Sequence, residues 1–109
     1  MGYSSVLYFQ PWIALAADPD AAIGLTRELE REMRADDPLR RLHPLCIARS
    51  TIGDDALFQL NDGSVASVHL TYTPKPPERR GWPERQIFHS LTDWMLREMI
   101  PAHIEHCNL

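Results

Sequence analysis

The segment Val65 to Thr73 carries a period of two: Ala66, Val68, Leu70 and Tyr72 fall on one side, and Val65, Ser67, His69 and Thr71 on the other. Side chains alternate across a strand, so this pattern predicts a sheet strand with one apolar and one more polar face. Asn61-Asp62-Gly63 directly before it is a tight hairpin signal, because Asn and Gly accept positive φ. A strand of this kind needs partners beside it and a cover over its apolar face. The chain offers partners on both sides. Leu45 to Thr51 and Ala56 to Leu60 read as strands separated by the turn Gly53-Asp54-Asp55, and Arg85 to His89 reads as a returning strand. Ser4 to Phe9 is β-branched and aromatic enough for one more, ended by Pro11. Successive strands joined by short turns predict an antiparallel meander.

Two helices are available as cover. Asp18-Pro19-Asp20 starts the first, with Asp18 suited to the N-cap, Pro19 to the first turn and Asp20 to the positive end of the helix dipole. Ala22, Thr26, Leu29 and Met33 keep one face apolar, while Arg27, Glu28, Glu30, Arg31 and Arg34 give the rest mixed charge. Asp36-Asp37-Pro38 stops this helix near Ala35. The second begins at Ser90-Leu91-Thr92-Asp93, a capping-box pattern ahead of a broad face of Leu91, Trp94, Met95, Met99 and Ile100. Pro101 is expected to kink or end it, and the face is expected to pack on the apolar side of the sheet. The fold class is therefore α+β: an antiparallel sheet of three to five strands packed by an N-terminal and a C-terminal helix. With 109 residues the chain has room for one core, so residues 1–109 form a single domain.

Composition narrows the function classes. A net charge of -4 gives no general attraction to phosphate backbones, so no nucleic-acid partner is expected. No apolar run approaches the roughly 18 residues that would span a bilayer, so no membrane is expected either. Met1 to Ala17 holds no Lys or Arg to form the n-region of a signal peptide, and two cysteines in a chain able to bury its own core point to a reduced, cytoplasmic protein.

The succession D-D-A-L-F (Asp54 to Phe58), D-G-x-x-A-x-V-H-L-T-Y (Asp62 to Tyr72), W-P (Trp82, Pro83) and F-x-S-L-x-x-W (Phe88 to Trp94), with H-P-L at His43 to Leu45, resembles a family of small, largely uncharacterised bacterial proteins. The likeness covers about the last two-thirds of the chain, with Tyr72 where that family usually has Trp. It implies the strand and helix order and transfers no site residue. In size and type the chain is also similar to immunity proteins of bacterial toxin systems.

Three constellations bear on chemistry. His43-x-x-Cys46 and His103-x-x-His106-Cys107 place zinc-type ligands at short spacings, and four of them would close a tetrahedral zinc site if the two segments meet. His69 stands between Ser67 and Thr71 on the polar side of the best strand, with Asp54 and Asp55 at a neighbouring turn to orient it as a general base. The Pro74 to Pro83 segment, too rich in proline for regular structure, combines Lys75, Arg79 and Arg80 with Trp82, residue types suited to gripping a partner. No nucleophile elbow and no Gly-rich phosphate loop is present. The sequence thus points to a non-enzymatic protein-binding protein of immunity type, meeting a protein partner such as a toxin through His69, Thr71, Lys75, Arg79, Arg80 and Trp82 without a cofactor. The alternative is a small metal-assisted or histidine-dependent enzyme using His69 or the His/Cys zinc site.

Overall fold

The structure, a computed structural model, describes residues 7–73 and 81–107. Five strands form one antiparallel sheet in sequence order: β1 (Trp12–Ala14), β2 (Leu45–Ser50), β3 (Asp55–Gln59), β4 (Val65–His69) and β5 (Arg85–Phe88). Helix α1 (Pro19–Glu32) lies between β1 and β2 in the chain. The closing segment follows β5 as α2 (Leu91–Trp94), a π-helical turn (Met95–Met99) and α3 (Ile100–Cys107). The α+β class holds. No helix among the described residues is long and apolar enough to cross a membrane.

Both helix starts follow from their caps. The Asp18 carboxylate accepts the Ala21 N–H at 3.2 Å, and the Ser90 hydroxyl accepts the Asp93 N–H at 3.1 Å. Leu29 of α1 and Met33 directly after it are buried with Cys46, Ala56, Phe58, Leu60, Ala66, Val68 and Leu70 on one side of the sheet. Thr26 fastens the contact, because its hydroxyl donates to Ala22 O and accepts the Cys46 N–H at 3.0 Å. A bulge between Cys46 and Ala48 lets these two residues, only two apart, enter opposite faces.

The closing segment covers the other face, a correction to the expectation that it packs beside the Ala66, Val68 and Leu70 row. Trp12, Ala48, Leu57, Val65 and Phe88 make this second face apolar as well, and Leu91, Trp94 and Met99 bury it. Trp94 meets Trp12 edge to face with ring centroids 5.0 Å apart. Val65 and Ser67 of the expected polar row are accordingly buried, and His69 alone among the row's strand residues emerges. Pro101 does not end the helix. The π turn before it moves the Ile100 N–H onto Met95 O, a widened pairing that relieves the crowding a proline ring imposes on the turn it follows.

Two other expectations shift. Ser4 to Val6 lie outside the described residues, and Leu7 to Phe9 are not strand; pairing begins after Pro11, whose carbonyl accepts the Thr51 N–H at 2.8 Å and the Thr51 hydroxyl at 3.1 Å. Strand β4 ends at His69 rather than Thr73, because the chain turns to α1, where the fully buried Glu32 carboxylate accepts the Thr71 N–H (2.8 Å), the Thr71 hydroxyl (2.7 Å) and the Tyr72 N–H (2.9 Å). A second buried carboxylate, Asp37, takes the Arg85 guanidinium bidentately at 2.7 and 2.6 Å and the Leu39 N–H at 2.9 Å. Burial alone would raise the Asp37 pKa, but the Arg85 and Leu39 hydrogen bonds outweigh it and hold the carboxyl below its ordinary 3.8.

Trp94→Ala should therefore cost about 3–5 kcal/mol in chemical unfolding, since it empties the centre of the second core. Arg85→Ala should cost a comparable amount, about 3–5 kcal/mol, by stranding Asp37 in the interior. The Asp37 contribution is present above its ordinary pKa of 3.8 and is lost as pH falls through the depressed value, so Asp37→Asn should be less stable than the parent near neutrality and lose less on acidification.

Candidate functional site

The closing segment leaves one end of its face of the sheet uncovered. There Asp55, Ser67, His69, Glu84, Arg85 and Gln86 line a shallow cleft of about 370 Å³. Sheet register builds it: Asp55 pairs with His69 across β3 and β4, and Ser67 pairs with Gln86 across β4 and β5. These side chains share one face because paired residues project together. The His69 backbone is anchored by its N–H to Glu84 O at 2.9 Å.

His69 Nδ1 lies 3.0 Å from Asp55 Oδ1, and both side chains are about half exposed, at 56 % and 44 %. The hydrogen bond to Asp55 raises the His69 pKa above 6.5, burial opposes it, and the charges of Asp55, Asp54 and Glu84 add to the rise. Arg85, the cation of the lining, is spent on Asp37. The cleft is therefore an acidic concavity with one histidine that carries its proton readily.

Ser67 is turned away from His69. Its hydroxyl donates to Glu98 Oε1 of the π turn at 2.9 Å, so Ser67, His69 and Asp55 do not form a nucleophile–base–acid relay. What the arrangement offers is hydrogen-bond acceptors and negative charge around an oriented imidazole.

The other sequence-expected residues are distributed as follows. Thr71 is not a free binding residue, because its N–H and hydroxyl are both committed to Glu32. Lys75, Arg79 and Arg80 lie outside the described residues, while Trp82 is partly buried beside β5. The zinc-type ligands do not converge. Cys46 is buried in the core under α1, where burial pushes its thiol up to about 12, whereas His103 sits on α3 with Nδ1 2.7 Å from Gln10 O and its ring against Phe9. His43 is exposed in a left-handed conformation ending the 3-10 turn Pro38–Leu42, Cys107 lies 3.7 Å from His103, and His106 is exposed beside it. Both cysteines are free, and among the described residues no three His, Cys, Asp or Glu side chains gather to hold a metal ion.

Tyr72, expected on the apolar side of its strand, is 52 % exposed and holds φ at 55°, a conformation uncommon for a bulky residue. Burial and the charges of Asp54, Glu28 and Glu32 raise its pKa. The charge of Asp54 acts on both Tyr72 and His69.

No family model matches this chain, and neither a curated protein nor a solved structure matches it. Phe58, Val68, Leu70, Phe88, Leu91 and Trp94 are buried and serve the core of this fold.

Asp55→Asn should lower the His69 pKa toward 6.5, read from ring proton shifts in an NMR titration. In the parent, whatever stability the protonated pair contributes is present below 6.5 and disappears as pH rises through the raised value.

Proposed function

We propose that this chain is a non-enzymatic binding protein, of the immunity type, that receives a basic surface of a protein partner such as a bacterial toxin domain at the cleft around His69. The observation that carries the reading is the charge arrangement: Asp54, Asp55 and Glu84 surround His69, and the adjacent guanidinium is neutralised by Asp37. A lysine or arginine of a partner entering there gains acceptors already placed by the sheet. Tyr72 supplies an exposed aromatic, a residue type enriched in binding centres. The net charge of -4 favours encounter with a basic surface and makes association salt-dependent.

The test is co-expression with a bacterial toxin domain of basic surface, chosen from genes neighbouring the one for this chain. The parent chain should restore growth and co-purify with the toxin. The double variant Asp55→Asn/Glu84→Gln should bind at least about tenfold more weakly, roughly 1.4 kcal/mol, with an unchanged melting temperature. Tyr72→Ala should weaken binding in the same way. Unchanged affinity in all of these variants would remove the cleft from the interface.

A histidine-dependent enzyme is the second reading, favoured by the Asp55–His69 contact, which orients the imidazole as a general base requires. The two readings part on His69→Gln. An enzyme loses turnover and keeps substrate affinity, whereas a binding protein changes only in affinity for its partner.

A further inference from the structure

Backbone pairing between the β3 and β4 regions runs one step past His69, where the Leu70 N–H donates to Asp54 O at 3.0 Å. Beyond it the chain leaves the sheet. The next two N–H groups, of Thr71 and Tyr72, go to the two oxygens of one carboxylate, Glu32 Oε1 at 2.8 Å and Oε2 at 2.9 Å. Along an extended strand successive N–H groups point to opposite sides, so one carboxylate receives both only where the backbone bends. The bend falls on Tyr72, at φ 55°. In that left-handed conformation the Cβ of any residue but glycine is crowded, and a bulky aromatic is an uncommon occupant.

The ring gives the fold little in return. Tyr72 belongs to neither core cluster, its side chain is half exposed, and its hydroxyl makes no hydrogen bond among the described residues. The carboxylate that sets the bend is the opposite case: Glu32 is fully buried at the end of α1, and it also accepts the Thr71 hydroxyl at 2.7 Å. The charges of Asp54, Glu28 and Glu32 act on the Tyr72 phenol, with no cation among the groups that do so. Arg31, beside Glu32 in α1, is engaged by Glu28. An exposed aromatic face among carboxylates suits a side-chain cation, which is attracted by the ring and by the acids together.

We propose that Glu32 is a positioning residue for partner binding: it holds the Tyr72 backbone in its left-handed bend, so that the ring is presented, already fixed, to a lysine or arginine of the partner. The proposal rests on the binding reading given above and adds to it a residue that touches no partner. A backbone fixed before contact lowers the ordering cost of association, and strain carried in the free chain serves that end.

Two comparisons test it. The first needs no partner. Tyr72→Gly and Tyr72→Ala lose the same ring and differ in their tolerance of positive φ, so the Gly variant should unfold at the higher denaturant concentration, the reverse of the order at an ordinary position. In a Glu32→Gln background, where the carboxylate that sets the bend is gone, this advantage of Gly should disappear. The second comparison uses the toxin domain that co-purifies with the parent chain, with each variant shown to be folded by circular dichroism. Tyr72→Ala and Glu32→Gln should each weaken binding by about tenfold, Tyr72→Phe should keep the parent affinity, and the double variant Glu32→Gln/Tyr72→Ala should bind no more weakly than Tyr72→Ala alone. Glu32→Asp, which keeps the charge and withdraws the carboxylate by one methylene, takes the place of Glu32→Gln if that variant does not fold. Additive losses would make Glu32 a purely structural residue and overturn the proposal, as would a Tyr72→Gly variant no more stable than Tyr72→Ala. A toxin that loses affinity with Tyr72→Ala and is indifferent to Glu32→Gln overturns the proposal alone. A parent chain that binds no toxin domain removes the binding reading, and the proposal falls with it.

Discussion

Strand β4 is buried on both faces, and most of the architecture answers to that. Val65, Ala66 and Val68 are each fully buried, although successive residues point to opposite sides of the sheet. A strand apolar on both sides needs a cover on each. Helix α1 supplies one through Leu29 and Met33, and the closing segment supplies the other through Leu91, Trp94 and Met99. The cover is unequal in extent, which is why the end of the strand at Ser67 and His69 opens into a cleft.

Carboxylates do the joining that apolar contacts leave undirected. Glu32 receives the chain as it leaves β4, and Asp37 receives Arg85 as the chain enters β5, so the ends of the connection between the two strands are tied to residues in and just beyond the C-terminal end of α1. Hydrophobic burial is non-directional and would tolerate several placements of these ends. A buried carboxylate tolerates few, because an unmet oxygen is costly. The positive φ of Tyr72 is the local consequence: the Tyr72 N–H is held by Glu32, and its side chain is left partly in solvent.

Much of this was legible in the sequence. The hairpin at Asn61-Asp62-Gly63, the caps Asp18 and Ser90, and the order of four of the five strands follow from local signals that act over a few residues. The second core was not legible from β4 alone, because Ser67, His69 and Thr71 look like a solvent face until Leu57, Phe88 and Trp12 are placed beside Val65. The sheet-to-helix carboxylates are long-range contacts, Glu32 to Thr71 spanning 39 residues, and no local pattern records them. One signal was available for Glu32. It falls between Leu29 and Met33 on the apolar stripe of α1, where a charged residue needs a buried partner to be tolerated. The candidate site was half visible: His69 with Asp55 could be read from the turn, whereas the neutralisation of Arg85 and the diversion of Ser67 to Glu98 depend on tertiary packing.

Among the described residues, titrating contacts that join separate elements respond to pH in different directions. Asp37 with Arg85 ties the segment after α1 to β5 and weakens in acid, because its carboxyl is held ionised by a cation. His69 with Asp55 joins β3 to β4 at the cleft and weakens as pH rises, because its imidazole is held charged by a carboxylate. Burial raises the Glu98 carboxyl, and the hydrogen bond donated by Ser67 opposes that rise. Acid therefore weakens the Asp37–Arg85 tie, and rising pH weakens the His69–Asp55 pair at the cleft. The pH response of the tie between the segment after α1 and β5 is thus opposite in sign to that of the pair at the candidate site, and the two share no hydrogen-bonded atom among the described residues.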